Sequence, residues 1–137
     1  MTLSRIAGYG VAAAIVAMIV AACGGSSSSN NSTGPTGTCT PSTNPNTVVI
    51  QGGQVCPQTI TIALGGQLTI INNDATTHEM DSDPHPEHSD CPALNQIDFL
   101  NPGQTRSSGN LTTARNCGFH DHLSPNNGSL RGTVTIR

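Results

Sequence analysis

Apolar and polar residues alternate in short runs beyond residue 45, and this alternation predicts β-strands rather than helices. The closing run at 131–137 shows it most clearly, with Val134 and Ile136 on the inward face. The other runs lie at 47–51, 59–64, 67–72, 96–100 and 107–117. We predict that the first of them is an edge strand. Glycine and proline turns separate the runs, so the sequence predicts an all-β Greek-key sandwich.

A long segment at 73–95 breaks this pattern and is predicted to be a loop. It is rich in proline, aspartate and serine, and it contains three of the five histidines. Long loops in compact domains usually carry function. The remaining two histidines follow Cys117 closely, and we predict that none of the five lies on a strand. Because histidine is the commonest metal ligand, the two segments predict a metal site.

The cysteine next to the second histidine segment allows three interpretations. Cys117 and His120 together match a thiolate–imidazolium nucleophile, but no oxyanion-hole pattern surrounds them. A structural zinc site lacks its second, regularly spaced thiolate. One thiolate with two imidazoles is the ligand set of a blue copper site, and this interpretation is preferred.

The segment 58–137 resembles the cupredoxins, the plastocyanin and azurin family of type 1 copper proteins. The run NNDATTH at 72–78 is similar to the segment that carries the first copper ligand of that family. The Cys-x2-His spacing at 117–120, followed by the last strand, is similar to the second half of the copper site. The resemblance implies a cupredoxin-like β-sandwich with a long His-rich loop and one copper ion per chain, cycling between Cu(I) and Cu(II).

Carried over residue by residue, the resemblance implies His78 as the first imidazole ligand and Cys117 as the thiolate. The second imidazole is His120, which is preferred, or His122. Leu130 occupies the axial position and is not a ligand, so the site is either three-coordinate or takes a fourth ligand from elsewhere. The candidates are Met80, His85, His88 and whichever of His120 and His122 is not the second imidazole. We further predict that Asn73 fixes the ligand loops by a hydrogen bond, and that Asp121 has only a local role in solvent.

The N-terminus has the pattern of an export signal. Arg5 precedes an apolar run at 11–22, and Cys23 follows in a context that resembles a bacterial lipobox. We therefore predict a signal peptide at 1–22, a lipidated Cys23 with a flexible Ser/Gly/Asn linker at 23–44, and a copper-binding domain at 45–137. The alternative is an ordinary secretory signal. Either way the domain is expected outside the cytoplasm, facing the periplasm or the cell exterior.

Charge and cysteine content narrow the function classes. The chain has five basic and eight acidic residues, so removing Arg5 with the signal leaves four against eight, a net charge of −4. Without a basic patch or an aromatic platform, nucleic-acid binding is excluded. Cys39, Cys56 and Cys91 remain once Cys23 and Cys117 are assigned. A Cys39–Cys56 disulfide is favoured over Cys56–Cys91, and one thiol is left over.

The sequence therefore predicts a lipid-anchored one-electron carrier with unidentified redox partner proteins. It is predicted not to be an enzyme, and no small-molecule substrate is expected. Two other classes stay open. One is extracytoplasmic copper capture or tolerance, in which the additional histidines would bind the copper. The other is a red-copper oxidoreductase of the nitrosocyanin type.

Overall fold

The computed structural model describes residues 38–137, and the predicted signal peptide, Cys23 and most of the predicted linker lie outside the described residues. Nine strands and two short 3-10 helices form this part of the chain. The strands are β1 Thr47–Ile50, β2 Val55–Cys56, β3 Thr59–Ile62, β4 Thr69–Asn72, β5 His78–Ser82, β6 Asp98–Leu100, β7 Thr105–Ser107, β8 Arg115–Asp121 and β9 Arg131–Ile136. The 3-10 helices are Leu94–Gln96 and Gly128–Leu130. Within this range, no helix has the length and hydrophobicity needed to cross a membrane.

The strands form two sheets, which confirms the prediction of an all-β sandwich. One sheet has the order β2-β1-β4-β7, and the other has the order β3-β9-β8-β5-β6. β1 pairs with both β2 and β4, so the prediction that it lies at an edge is wrong. Its four residues are all buried, which explains why three apolar residues follow one another in TVVI instead of alternating with polar ones.

One aliphatic core fills the space between the sheets. Val48, Ile50 and Ile70 reach it from the first sheet. Val134 and Ile136 are fully or nearly fully buried in it, as their alternation predicts. The burial of this apolar surface is the main stabilising contribution to the fold.

The segment predicted as a continuous loop contains strand β5, so that prediction is wrong in part. β5 lies between β8 and β6 and pairs antiparallel with both. His78 begins β5 and His120 lies on β8, so the prediction that every histidine lies in a loop is also wrong. The sequence of β5, HEMDS, is polar and does not predict a strand, and its partners on both sides fix it as one.

Two disulfides cross-link the described residues. Cys39–Cys56 joins the N-terminal segment to β2, as predicted. Cys91–Cys117 joins the end of the His-rich loop to β8, so the thiol predicted to be left over is Cys91, and it is paired with the predicted copper ligand. Disulfides of this kind are typical of oxidising compartments.

Candidate metal centre

Four histidines converge on one point beside the second sheet. One ring nitrogen from each of them lies within 4.8 Å of the corresponding nitrogen of every other. The four residues are His85, His88, His120 and His122. We call this group the four-histidine cluster. Two members come from the loop that follows β5, one from β8 and one from the residue just beyond it.

The alternation of side chains along β8 decides which residues reach the cluster. Cys117 and Phe119 are buried in the hydrophobic core, so His120 projects from the opposite face of the strand. On that face it lies directly across from Asp81 of β5. A Cys-x2-His spacing in a strand therefore separates the two side chains instead of joining them.

The His-rich loop folds back over this outer face and covers His120. The backbone N–H of Asp90 donates to the carbonyl of Asp83, and the N–H of Gly118 donates to the Asp90 carboxylate. The Cys91–Cys117 disulfide fixes the end of the same loop to β8. As a result His120 is fully buried although it does not belong to the hydrophobic core.

His120 has one satisfied and one unsatisfied ring nitrogen. Its Nδ1 lies 2.7 Å from the Asp83 carboxylate, which holds the ring proton at Nδ1. Its Nε2 is buried without a hydrogen-bond partner, the one such side-chain atom among the described residues. Burial lowers the pKa of His120, despite the opposing effect of Asp83. The ring is thus held neutral with a free electron pair, which is what a metal ligand requires.

Asp83 is itself fixed in position. Arg131 donates to the same carboxylate oxygen at 3.0 Å. On its other side the carboxylate lies against Gly118, where a Cβ atom would be 2.1 Å from the second oxygen. Only a glycine at position 118 allows Asp83 to approach β8 this closely. The carboxylate and His120 form the paired arrangement that commonly supports metal-bound histidine.

His88 and His122 complete the cluster from opposite sides. His88 Nε2 and His122 Nδ1 lie 3.0 Å apart. The backbone N–H of His122 donates to the carbonyl of Glu79, which keeps this residue beside β5 after β8 has ended. His85 is exposed, and its ring centroid lies 4.7 Å from that of His122.

The donor set fits a transition-metal ion. With metal–nitrogen bonds of about 2.0 Å, the nitrogens of a four-coordinate site are separated by about 3.3 Å when tetrahedral and up to about 4 Å when opposite each other. The separations in the cluster require only small movements to reach those values. Neutral imidazoles suit copper, zinc and nickel, and copper(II) binds most strongly among the divalent ions.

His78 lies in a different environment from the cluster. Its Nδ1 lies 2.9 Å from the Asp121 carboxylate, and its Nε2 lies 3.2 Å from Asp74. Hydrogen bonding to Asp121 is the largest cause of a raised pKa at His78. In the same pair the pKa of Asp121 is lowered, because hydrogen bonds to the carboxylate outweigh the effect of burial. Both nitrogens are used in ion pairs, so the predicted ligand role of His78 is not supported.

The predicted thiolate ligand is also corrected. Cys117 is bonded to Cys91, and a sulfur in a disulfide offers no thiolate. Its Cα lies four residues before Asp121 on β8, about 13 Å along the strand, and Asp121 is the residue that contacts His78. One ion cannot bridge that distance with metal–ligand bonds of about 2.0–2.3 Å. The structure does not form the predicted type 1 site from His78 and Cys117.

The other predicted site residues separate into two groups. Met80 and Leu130 are both buried in the hydrophobic core, where they are packing residues and not ligands of the cluster. His120 and His122 both belong to the cluster, together with His85 and His88, so no choice between the two is needed. The sequence signal for the full set is the pair of short spacings His-x2-His and His-x-His.

Two supporting residues were also assigned differently by the structure. Asn72, and not the exposed Asn73, fixes the turn before β5: its side-chain amide donates to the carbonyls of Thr76 and Leu100. Asp121 is buried and accepts from the backbone N–H groups of Glu79 and Leu123 as well as pairing with His78. It holds the segment that carries two members of the cluster.

Comparisons with known proteins agree with the fold. No protein-family model matches the chain, and no curated protein matches it by sequence. Among solved structures, a purple cupredoxin from Nitrosopumilus maritimus matches with a TM-score of 0.50 and 16% identity, covering 66% of this chain and 98% of the other. An amicyanin variant matches with a TM-score of 0.53 and 18% identity, covering 70% and 85%.

A copper-containing nitrite reductase from Thermus scotoductus SA-01 matches with a TM-score of 0.53 and 17% identity. The match covers 69% of this chain but only 22% of the reductase. At these identities the similarity concerns the fold. The protein has a cupredoxin-like fold, and this confirms the class predicted from residues 58–137.

Proposed function

We propose that this protein binds one copper ion at the four-histidine cluster outside the cytoplasm, and that it captures and holds copper there. The observation that carries the proposal is the buried Nε2 of His120, which has no partner and belongs to a group of four imidazoles. A buried polar atom without a hydrogen bond is costly, and coordination to a metal removes that cost.

The positions of the four ligands favour capture. His85 is exposed and His88 is partly exposed, while His120 is buried behind them. An ion arriving from solvent reaches the outer imidazoles first and then the inner one. Cu(II) binds nitrogen donors more strongly than the other divalent first-row metals do. Asp83, Gly118 and the Cys91–Cys117 disulfide hold the imidazoles in position for the ion.

A copper titration of the metal-free protein tests this proposal. We expect one Cu(II) per chain, an EPR spectrum of nitrogen-ligated copper, and no intense thiolate-to-copper absorption band. Cys117→Ser should leave the ligand signature unchanged, while His120→Ala with His122→Ala should abolish stoichiometric binding. Wild-type protein that binds no copper, or a double variant that binds it normally, would overturn the proposal.

One-electron transfer is the second candidate, and the structural neighbours favour it. Amicyanin structures of the same fold are described in oxidised, reduced and Cu(I) forms. The inner ligand of the present cluster is also held on a rigid strand, which limits rearrangement. Voltammetry separates the candidates: a carrier shows fast, reversible exchange, whereas a capture protein shows slow exchange with tight retention of Cu(II).

An extracytoplasmic location is part of the proposal and rests on the two disulfides and the N-terminal sequence. We propose lipidation at Cys23, with the residues between Cys23 and the disulfide-bonded Cys39 as the tether. Mass spectrometry of the mature N-terminus and detergent-phase partitioning of wild type and Cys23→Ala test this part. A soluble wild-type protein with an unmodified N-terminus would contradict it without affecting the copper centre.

A further inference from the structure

We propose that Asp81 is a positioning residue that biases the four-histidine cluster towards Cu(II) over Cu(I). This inference rests on the proposed function, because it concerns the ion that the cluster binds. Asp81 lies on β5 opposite His120, on the same face of the sheet, and its side chain is only 9% exposed. A carboxylate in such a position needs a compensating partner.

The ion-pair contacts of Asp81 are both with members of the cluster. Its Oδ2 lies 3.6 Å from His88 Nδ1 and 4.0 Å from His122 Nδ1. Both separations are longer than a hydrogen bond. Among the described residues, no arginine or backbone N–H satisfies this carboxylate. Its charge therefore has no fixed counter-ion.

The two nitrogens of His88 face different groups. Nε2 faces His122 and the interior of the cluster, while Nδ1 faces Asp81. A short movement of the loop brings Nδ1–H to Asp81, which would repeat behind His88 the arrangement that Asp83 already forms behind His120. Asp81 would then fix the proton of His88 at Nδ1 and direct Nε2 towards the ion.

The charges of the two carboxylates differ in their effect on the ion. The charge of Asp83 is paired with Arg131, whereas Asp81 has only imidazoles as possible cationic partners and has the like charge of Glu79 nearby. Since the attraction between charges grows with their product, an unpaired anion beside the centre stabilises Cu(II) more than Cu(I). The cluster is thus suited to the oxidised ion that prevails outside the cytoplasm.

Asp81→Asn tests this inference, with affinities for Cu(II) and Cu(I) and the reduction potential as the measurements. We expect the Cu(II) affinity to fall by about 10-fold to 100-fold, the usual range for residues behind metal ligands. The Cu(I) affinity should fall less, by about 3-fold to 10-fold, because the attraction to a singly charged ion is half as large. Each tenfold difference between the two corresponds to a rise of about 59 mV in the potential. Asp98→Asn is the matched control: it removes a carboxylate of the neighbouring strand that is half exposed and paired with Arg106.

Asp81→Glu keeps the charge and should hold the potential close to that of wild type, which guards against a folding defect in Asp81→Asn. Equal losses for both oxidation states, or an unchanged potential, would overturn the inference while leaving copper binding intact. A wild-type protein that fails to bind copper would instead overturn the proposed function.

Discussion

His78 and His120 are both buried histidines on neighbouring strands of one sheet, yet their ring nitrogens differ in hydrogen bonding. Carboxylates occupy both nitrogens of His78, which ties β5 to the end of β8. At His120 a carboxylate occupies one nitrogen and the other has no partner. The comparison shows that hydrogen-bond satisfaction, rather than burial, separates a structural histidine from a candidate ligand.

Removing His120 should have the largest effect on copper. We expect His120→Ala to weaken Cu(II) binding by more than about 100-fold, because even residues behind a ligand usually contribute 10-fold to 100-fold. A competition titration against a chromophoric chelator measures the change. His78→Ala is the control and should still bind one ion per chain. If His78→Ala loses the ion and His120→Ala keeps it, the assignment of the two histidines is reversed.

Removing the Cys91–Cys117 disulfide should have the next largest effect. The bond closes a segment with a sequence separation of 26. Replacing both cysteines by serine should lower the free energy of unfolding by about 3.5 kcal/mol on the chain-entropy relation. Denaturant unfolding of the metal-free protein measures this. The same variant should retain nitrogen-ligated copper. A strong visible band that is present in copper-loaded wild type and absent from the variant would instead support a thiolate ligand.

His78→Ala should destabilise the domain while sparing the metal. The substitution leaves Asp121 buried without its ion-pair partner, and breaking a buried pair in this way typically costs about 3 kcal/mol. The comparison is made by denaturant unfolding of metal-free wild type and variant at pH 6. A loss below about 1 kcal/mol, which is the usual value of an exposed ion pair, would show that the pair is not structural.

Gly118→Ala should disturb the ligand geometry through Asp83. The new Cβ would occupy the place of the Asp83 carboxylate, so His120 would lose the group that fixes its proton. We expect copper affinity to fall by about tenfold or more. Gly128→Ala is the matched control, because nothing lies within 4 Å of its Cβ position. Equal affinities for the two variants would argue against a role for Asp83.

The pH dependence of stability should differ in sign between the two histidines. His78 has a raised pKa, so its contribution is complete below the unfolded value of about 6.5 and is lost as the pH rises through the folded value. His120 has a lowered pKa, so stability is lost as the pH falls below about 6.5. In the metal-free protein, the stability difference between wild type and His78→Gln should shrink from pH 5 to pH 9. The difference for His120→Gln should grow, and parallel slopes would contradict the comparison.

The fold was predictable because its strands alternate or are continuously apolar. Val134 and Ile136 are buried as their positions indicate, and the cupredoxin resemblance of 58–137 agrees with the observed sandwich. β5 was missed because its pairing comes from neighbours distant in sequence. Its residues are polar on the outer face, where the His-rich loop covers them, so neither composition nor periodicity indicates a strand.

The candidate site was predictable in its chemistry but not in its membership. The two histidine-rich segments do converge, as their composition indicates. Yet the family motif directed attention to His78 and Cys117, and the sequence did not reveal that Cys91 would bond to Cys117. Which face of β8 carries the ligands depends on strand register, and register is set by long-range pairing rather than by residue spacing.

The bond between Cys91 and Cys117 also links copper binding to the redox state of the two cysteines. It fastens the segment bearing two imidazoles onto the strand bearing a third, and such a bond persists only after the chain has left a reducing cytosol. We expect the reduced chain to hold this loop less firmly and to bind copper more weakly than the oxidised chain, so that oxidation of the pair sets the affinity of the cluster.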